Sequence, residues 1–402
     1  MMFYPYINEV LFFQNKIIAI RNQYNIAKCT VKIEIQINNN NFRGSGFFLK
    51  FERYNNKTFY CLMTNQHVIT SDLIKNKIEI QIKYENEKKH FPLKLDEEER
   101  IIIDFKKELN LDVAIVEIIP KDKVKNSYFL TPRLNPIDQN KNIQTVQYPL
   151  GNYLSISKGK IVGIECNNIY YFYHTASTQP GSSGSPIVLE NEEEVLAIHK
   201  GATQNYNVGI FIGIIVEMMK EYKKNGRYKE YYENGNLKYV GNFKDDEYDD
   251  DIGQFYFENG EIYTGQFKNG KKHGRGFIVD KDYNLLKEDI EYENDIEKVK
   301  EPNNEESNLN QNKVNIYPEN KEEEKVEENK NELANNIVNI LQNEEVKDFI
   351  RQAASKFKPV GDSLGMTLCE CQHILKSHEE IEAGKYKCKE CPEDRNTCYL
   401  LI

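Results

Sequence analysis

Apolar residues fall at every second position in Val31-Lys32-Ile33-Glu34-Ile35-Gln36-Ile37 and again in Ile78-Glu79-Ile80-Gln81-Ile82. Period two sends one face of a strand into a core and the other toward water. Runs such as Gly46-Phe47-Phe48-Leu49 and Val113-Ala114-Ile115-Val116-Glu117-Ile118 add β-branched and aromatic segments split by Asn, Gly, Lys and Asp turns. Pro186-Ile187-Val188-Leu189 and Val195-Leu196-Ala197-Ile198 flank a charged tip and read as a hairpin. Many short strands with little helical pattern between them predict an all-β sandwich or barrel over residues 26–222. Val216 to Lys224 suits a closing helix, and residues 1–25 form a separate N-terminal segment, read as a short helix packed on the barrel.

A different pattern begins near residue 226. Tyr239-Val240-Gly241-Asn242-Phe243-Lys244 returns as Tyr263-Thr264-Gly265-Gln266-Phe267-Lys268, a shift of 24 (263 − 239). Gly235 is echoed by Gly260 and Gly253 by Gly276, and a partial copy starts at Gly226. Fixed aromatic and Gly phases predict a β-hairpin repeat array over 226–284 that buries its aromatic face by stacking. Residues 285–330 are Asn/Glu/Lys-rich and predict a disordered linker. Ile337, Ile340, Leu341, Val346, Phe349 and Ile350 then follow a helical period, predicting a helix over 331–358 that ends before Pro359. A Cys-rich tail, 360–402, closes the chain.

The length of 402 residues accommodates two or three folded units. Lys+Arg 53 against Asp+Glu 63 leaves a net charge of -10, which argues against a general phosphate-binding surface and so against nucleic acid as partner. No run is apolar enough to span a bilayer, and the first residues, MMFYPYINEVLFFQNK, lack the marks of a signal peptide. Cys29, Cys61 and Cys166 are scattered, whereas Cys369, Cys371, Cys388, Cys391 and Cys398 crowd the tail. That usage fits a reducing, cytoplasmic setting, with metal binding favoured over disulfides. Cys388-Lys389-Glu390-Cys391 is a zinc half-site, since two intervening residues let both thiols reach one tetrahedral ion. Cys369 and Cys371, or His373 and His378, supply the rest of a structural zinc site; the competing reading is a set of free thiols.

Candidate chemistry centres on Thr178-Gln179-Pro180-Gly181-Ser182-Ser183-Gly184-Ser185-Pro186, small permissive residues leading straight into an apolar strand. A nucleophilic Ser183 needs a base, a group orienting that base, and donors for an oxyanion. Of the histidines in the β region, His90 sits in a charged loop, while His67 ends the apolar run Cys61-Leu62-Met63-Thr64-Asn65-Gln66. Asp112 opens the apolar strand Val113-Ala114-Ile115-Val116, where a carboxylate is costly without a partner such as an imidazole N–H. Taken singly, these are a core histidine, a strand-capping carboxylate and a turn serine.

Together, Thr64-Asn65-Gln66-His67-Val68, Leu111-Asp112-Val113-Ala114 and Gly181-Ser182-Ser183-Gly184-Ser185-Pro186 resemble the motifs of trypsin-like (chymotrypsin-fold) serine proteases, in their order. Gly44-Ser45-Gly46-Phe47-Phe48 and Tyr148-Pro149-Leu150-Gly151 resemble stretches of the HtrA-type and glutamyl-endopeptidase-type branches. The resemblance, over roughly residues 30–215, implies a double β-barrel needing no catalytic cofactor. Ser183 would then be nucleophile, His67 general base, Asp112 its orienting partner, and the Gly181 and Ser183 amides the oxyanion hole. It also places Thr178 and His199 in a substrate pocket that prefers an acidic side chain; the alternative is that His199 caps a strand end. Ser182 and Val68 depart from the digestive enzymes, so neither their zymogen activation nor the disulfide beside the histidine is implied. The repeats resemble MORN repeats, most closely in Tyr263 to Gly276, while Asp245 to Asp251 departs from that pattern. Such arrays imply docking of a protein or lipid. The competing class is a non-catalytic peptide-binding scaffold.

Overall fold

The computed structural model describes residues 14–37, 40–53, 56–84, 90–106, 110–134, 140–165 and 168–298, with the tail represented only by the backbone of His378–Glu382, Lys385–Cys388 and Cys398–Tyr399. The helix expected over 331–358 and the cysteines Cys369, Cys371 and Cys391 lie outside the described residues. Among the described residues no His/Cys/Asp/Glu cluster is arranged for a metal ion, and no helix is long and apolar enough to cross a membrane.

Helix α1 (Gln14–Cys29) runs without a break into strand β1 (Thr30–Ile37), so it reaches further than the segment expected to end at residue 25. Its last turn is drawn into the fold by burial of Ile26 and Cys29, and Thr30 Oγ1 donates to the Ile26 carbonyl. Strands β2 (Asn40–Glu52), β3 (Thr58–Thr64), β4 (Glu79–Lys83), β5 (His90–Lys94), β6 (Ile102–Asp104) and β7 (Ala114–Glu117) join β1 in a seven-stranded sheet of order β5-β4-β1-β2-β3-β7-β6, with a short helix α2 (Ser71–Lys75) between β3 and β4. The period-two residues Val31, Ile33, Ile80 and Ile82 are buried together with Phe48 and Leu62. Fully burying such a side chain is worth about 1.5–3 kcal/mol, enough to fix the register.

Strands β8 (Asn142–Gln147), β9 (Ser155–Glu165), β10 (Asn168–His174), β11 (Pro186–Leu189), β12 (Val195–Ala202) and β13 (Asn207–Phe211) close into a barrel of order β10-β13-β12-β11-β8-β9. β11 and β12 form the expected hairpin, Pro186 opposite Ile198. Of the expected double β-barrel, the second sheet closes fully by hydrogen bonds among the described residues, and the first is a seven-stranded sheet with β5 and β6 at its edges. In the first, a charged turn at Glu97 to Arg100 connects β5 to the three-residue β6, and among the described residues no ladder joins these edges. Phe47, Met63 and Ile115 from the first sheet meet Val146, Val188 and Ile198 from the second in a shared core, capped by α3 (Gly213–Glu221) through Ile215 and Met218. The candidate site lies along this seam.

β14 (Gly226–Tyr231), β15 (Leu237–Lys244), β16 (Glu247–Tyr248), β17 (Asp250–Tyr256), β18 (Ile262–Lys268), β19 (Lys271–Val279), β20 (Leu285–Glu293) and β21 (Ile296–Glu297) form a separate eight-stranded antiparallel sheet. The repeat is visible as equivalent packing. Tyr239 and Tyr263 are both fully buried, Phe243 and Phe267 nearly so, and each Tyr hydroxyl donates to the carbonyl three residues on. Residues 285–297, expected to belong to a linker, instead continue the sheet as β20 and β21, and residues 299–330 lie outside the described residues. Ile290 and Tyr292 bury against Tyr263, a two-residue alternation too short to stand out from its polar surroundings.

Candidate active site

Register explains why two distant side chains converge. β3 pairs antiparallel with β7, Thr64 opposite Ala114, so the residues just after β3 and just before β7 leave the sheet at the same end. His67 and Asp112 are those residues. Asp112 Oδ2 lies 2.7 Å from His67 Nδ1, and Asp112 Oδ1 accepts from the His67 backbone N–H at 3.0 Å. Asn65 Nδ2 donates to the Asp112 carbonyl at 2.7 Å, and the Asp112 N–H donates to the Tyr171 hydroxyl at 3.3 Å. Burial by itself would raise the Asp112 pKa; hydrogen bonds and charge from His67, with the Lys200 cation, win and hold it below the usual carboxylate range. The imidazole remains nearly half exposed, so its far nitrogen is open to a ligand.

Ser183 sits in a turn joined to the first sheet. The Ser45 N–H donates to the Ser183 carbonyl at 2.8 Å, and Thr64 Oγ1 donates to the Ser45 carbonyl at 2.7 Å. That places the turn beside the end of β3, where His67 emerges. The Ser183 hydroxyl itself donates to the Lys200 carbonyl at 3.2 Å, and no hydrogen bond joins it to His67 among the described residues. The structure thus brings His67 and Asp112 into direct contact, while the Ser183 hydroxyl is engaged by the Lys200 carbonyl.

The turn around Ser183 is held by its carbonyls. Leu150 N donates to the Pro180 carbonyl at 2.6 Å, Ser45 Oγ to Gly181 at 2.8 Å, and Ser185 N to Ser182 at 3.1 Å. Gly181 has φ +92°, and a Cβ there would lie 2.8 Å from both Gly151 N and the Tyr148 carbonyl. Gly184 has φ +90° and faces the Ser45 carbonyl with no room for a Cβ. Among the described residues the amides of Gly181 and Ser183 donate to no backbone carbonyl. Two free, neighbouring N–H groups beside a serine can stabilise a developing oxyanion.

The two residues expected in the substrate pocket are engaged internally. Thr178 Oγ1 donates to Asn207 Oδ1 at 2.6 Å, and Asn207 Nδ2 is fixed by the Ala176 carbonyl at 2.7 Å. His199 is buried, its Nδ1 3.3 Å from His174 Nε2, with a further hydrogen bond to the Val208 backbone. Burial drives both rings to stay neutral: His174 is pushed down to about 3, and His199 to about 4 with help from the nearby His67. His174 Nδ1 finds no partner among the described residues. Leu150, Asn207 and His174 were not singled out by sequence reasoning, and Ser45 entered only as part of the stretch 44–48. Leu150 adopts φ 56° at a 53 % exposed position, which is unusual for a branched apolar residue, yet nothing in the sequence marks it.

Solved structures resemble this chain at low identity. The Rv3671c protease from M. tuberculosis in its active form is 16% identical, covering 53% of this chain and 90% of its own, with a TM-score of 0.36. A serine endoprotease from Yersinia pestis is 15% identical, covering 52% and 71%, at a TM-score of 0.39. Deg5 is 14% identical, covering 50% and 92%, at 0.38. Scores of this size carry nothing further. No curated protein matches this chain. The described family that does match it is the trypsin-like peptidase domain, whose model aligns with residues 44–198.

Proposed function

We propose that this protein is a serine endopeptidase acting through Ser183, His67 and Asp112. The observation that carries the reading is the paired contact of Asp112 with His67, one carboxylate oxygen on Nδ1 and the other on the backbone N–H. It fixes the ring so that Nε2 faces outward as the basic nitrogen. Ser183 Oγ adds to the scissile carbonyl carbon as Nε2 takes its proton. The oxyanion settles on the Gly181 and Ser183 amides. Collapse of the adduct breaks the C–N bond, with the imidazolium returning the proton to the amine. Water then hydrolyses the acyl-enzyme by the same proton route, regenerating Ser183.

A fluorophosphonate probe tests this. Labelling of the wild type that vanishes in Ser183→Ala and falls sharply in His67→Ala supports the enzyme. Folded wild-type protein that resists the probe under every condition supports the peptide-binding scaffold instead.

For the cleaved side chain, the hydrogen bonds favour the structural reading of His199. Thr178 has one hydroxyl proton and gives it to Asn207, and the buried His199 ring is shared between His174 and Val208. Neither has a spare donor for a substrate carboxylate. A peptide-library profile without enrichment of Glu is the expected result; strong cleavage after Glu would restore the acidic pocket.

The repeat sheet serves as the docking element for a protein or lipid partner in this reading, supported by its MORN-like sequence. Structural zinc on Cys369, Cys371, Cys388 and Cys391 rests on the spacing of the two pairs, and metal analysis of the full chain against Cys388→Ala tests it.

A further inference from the structure

Ser45 lies in the middle of β2, fully buried, between two glycines and ahead of Phe47 and Phe48. A hydroxyl in such a place is costly unless its hydrogen-bonding capacity is used. Here it is used in both directions. Ser45 Oγ donates to the Gly181 carbonyl at 2.8 Å and accepts from the Tyr148 N–H at 3.1 Å. The backbone of the same residue donates to the Ser183 carbonyl at 2.8 Å and accepts from Thr64 Oγ1 at 2.7 Å. We propose that Ser45 is a positioning residue for the oxyanion hole, its hydroxyl clamping the Gly181 turn of one barrel to a strand of the other sheet.

The argument follows the peptide units. The two free amides belong to the peptides 180–181 and 182–183. The peptide between them, 181–182, is held through its carbonyl by Ser45 Oγ, and the one after them, 183–184, by Ser45 N. Gly181 has no Cβ to resist rotation of these units, so partners must set their direction. Through Tyr148 N the same hydroxyl also ties down the turn whose Leu150 N–H orients the Pro180 carbonyl. Loss of the hydroxyl therefore loosens both sides of the hole at once while leaving His67, Asp112 and Ser183 in place.

This proposal rests on the peptidase reading and is tested on the full chain with Ser45→Ala. The transition state needs the hole and the bound substrate does not, so kcat falls on the order of 10- to 100-fold with KM little changed. A peptide boronate, which mimics the tetrahedral adduct, loses affinity in proportion, and circular dichroism shows an unchanged fold. Should Ser45→Ala fail to fold, Ser45→Cys keeps the volume with a weak donor and shifts kcat and boronate affinity the same way. An active wild type whose folded variant matches it in kcat and boronate affinity, or loses only KM, overturns the role of Ser45 alone. A wild type that neither cleaves nor labels overturns the peptidase reading and the proposal together.

Discussion

Asp112 carries two separable duties, and substitution can tell them apart. As a carboxylate it accepts from His67 twice and stabilises the imidazolium formed when Ser183 is deprotonated. Asp112→Asn keeps the shape but removes the charge and allows the wrong tautomer, so kcat should fall on the order of 10⁴-fold with KM nearly unchanged, read by steady-state kinetics. Gly184 is a steric counterpart. At φ +90°, pressed against the Ser45 carbonyl, it leaves no space for a methyl group. Gly184→Ala should both lower thermal stability and abolish fluorophosphonate labelling, whereas Gly201→Ala, which meets nothing within 4 Å, should leave both intact. His67 and Asp112 stood out in the sequence because each borders an apolar strand; the register that joins them, Thr64 opposite Ala114, is a property of the fold. Ser45 did not stand out, since the carbonyl it serves lies 136 residues away.

Strands with clean period-two alternation, such as β1 and β4, were legible because one buried face suffices to set them. β20 was hidden, as its first five residues are exposed and only Ile290 and Tyr292 turn inward. Within the closed barrel, β10 and β12 bring His174 and His199 together in the interior. Folded, both rings stay neutral down to about 3 and about 4; unfolded, they take up protons near 6.5. Between about pH 6.5 and 4 the unfolded chain binds more protons, so stability drops as pH falls, by about 1.4 kcal/mol per pH unit for each ring. Asp112, with its lowered pKa, contributes chiefly below its ordinary value of 3.8, and Glu34, Glu99 and Glu190, lowered from 4.5, enter only toward the acid end of this window. Urea midpoints at pH 7 and pH 5 should therefore separate widely in the wild type and less in His174→Asn. An identical separation would mean the pair does not govern acid stability.

At the scale of the whole molecule, the repeat sheet is joined to the first sheet and its loops by a set of partly buried polar contacts. The Lys229 N–H donates to the Glu98 carbonyl at 2.8 Å, Lys224 Nζ reaches Glu117 at 3.4 Å, and Tyr222 and Tyr228 share a hydrogen bond at 3.3 Å. Arg53 is the junction's centre. It donates to the Tyr222 carbonyl and pairs with Asp246 at 3.0 Å, both side chains largely buried. In the sequence, charge-rich turns look like solvated surface until their partners are known. Removing one member of a buried ion pair leaves the other uncompensated, typically at about 3–5 kcal/mol. Arg53→Ala should therefore uncouple the two units. Calorimetry of the wild type should show one transition spanning peptidase and repeats, and the variant should show two, the first well below the original. Paired replacement of Arg53 and Asp246 by Met and Leu should restore a single transition, because apolar packing can substitute for the pair once no lone charge is left buried.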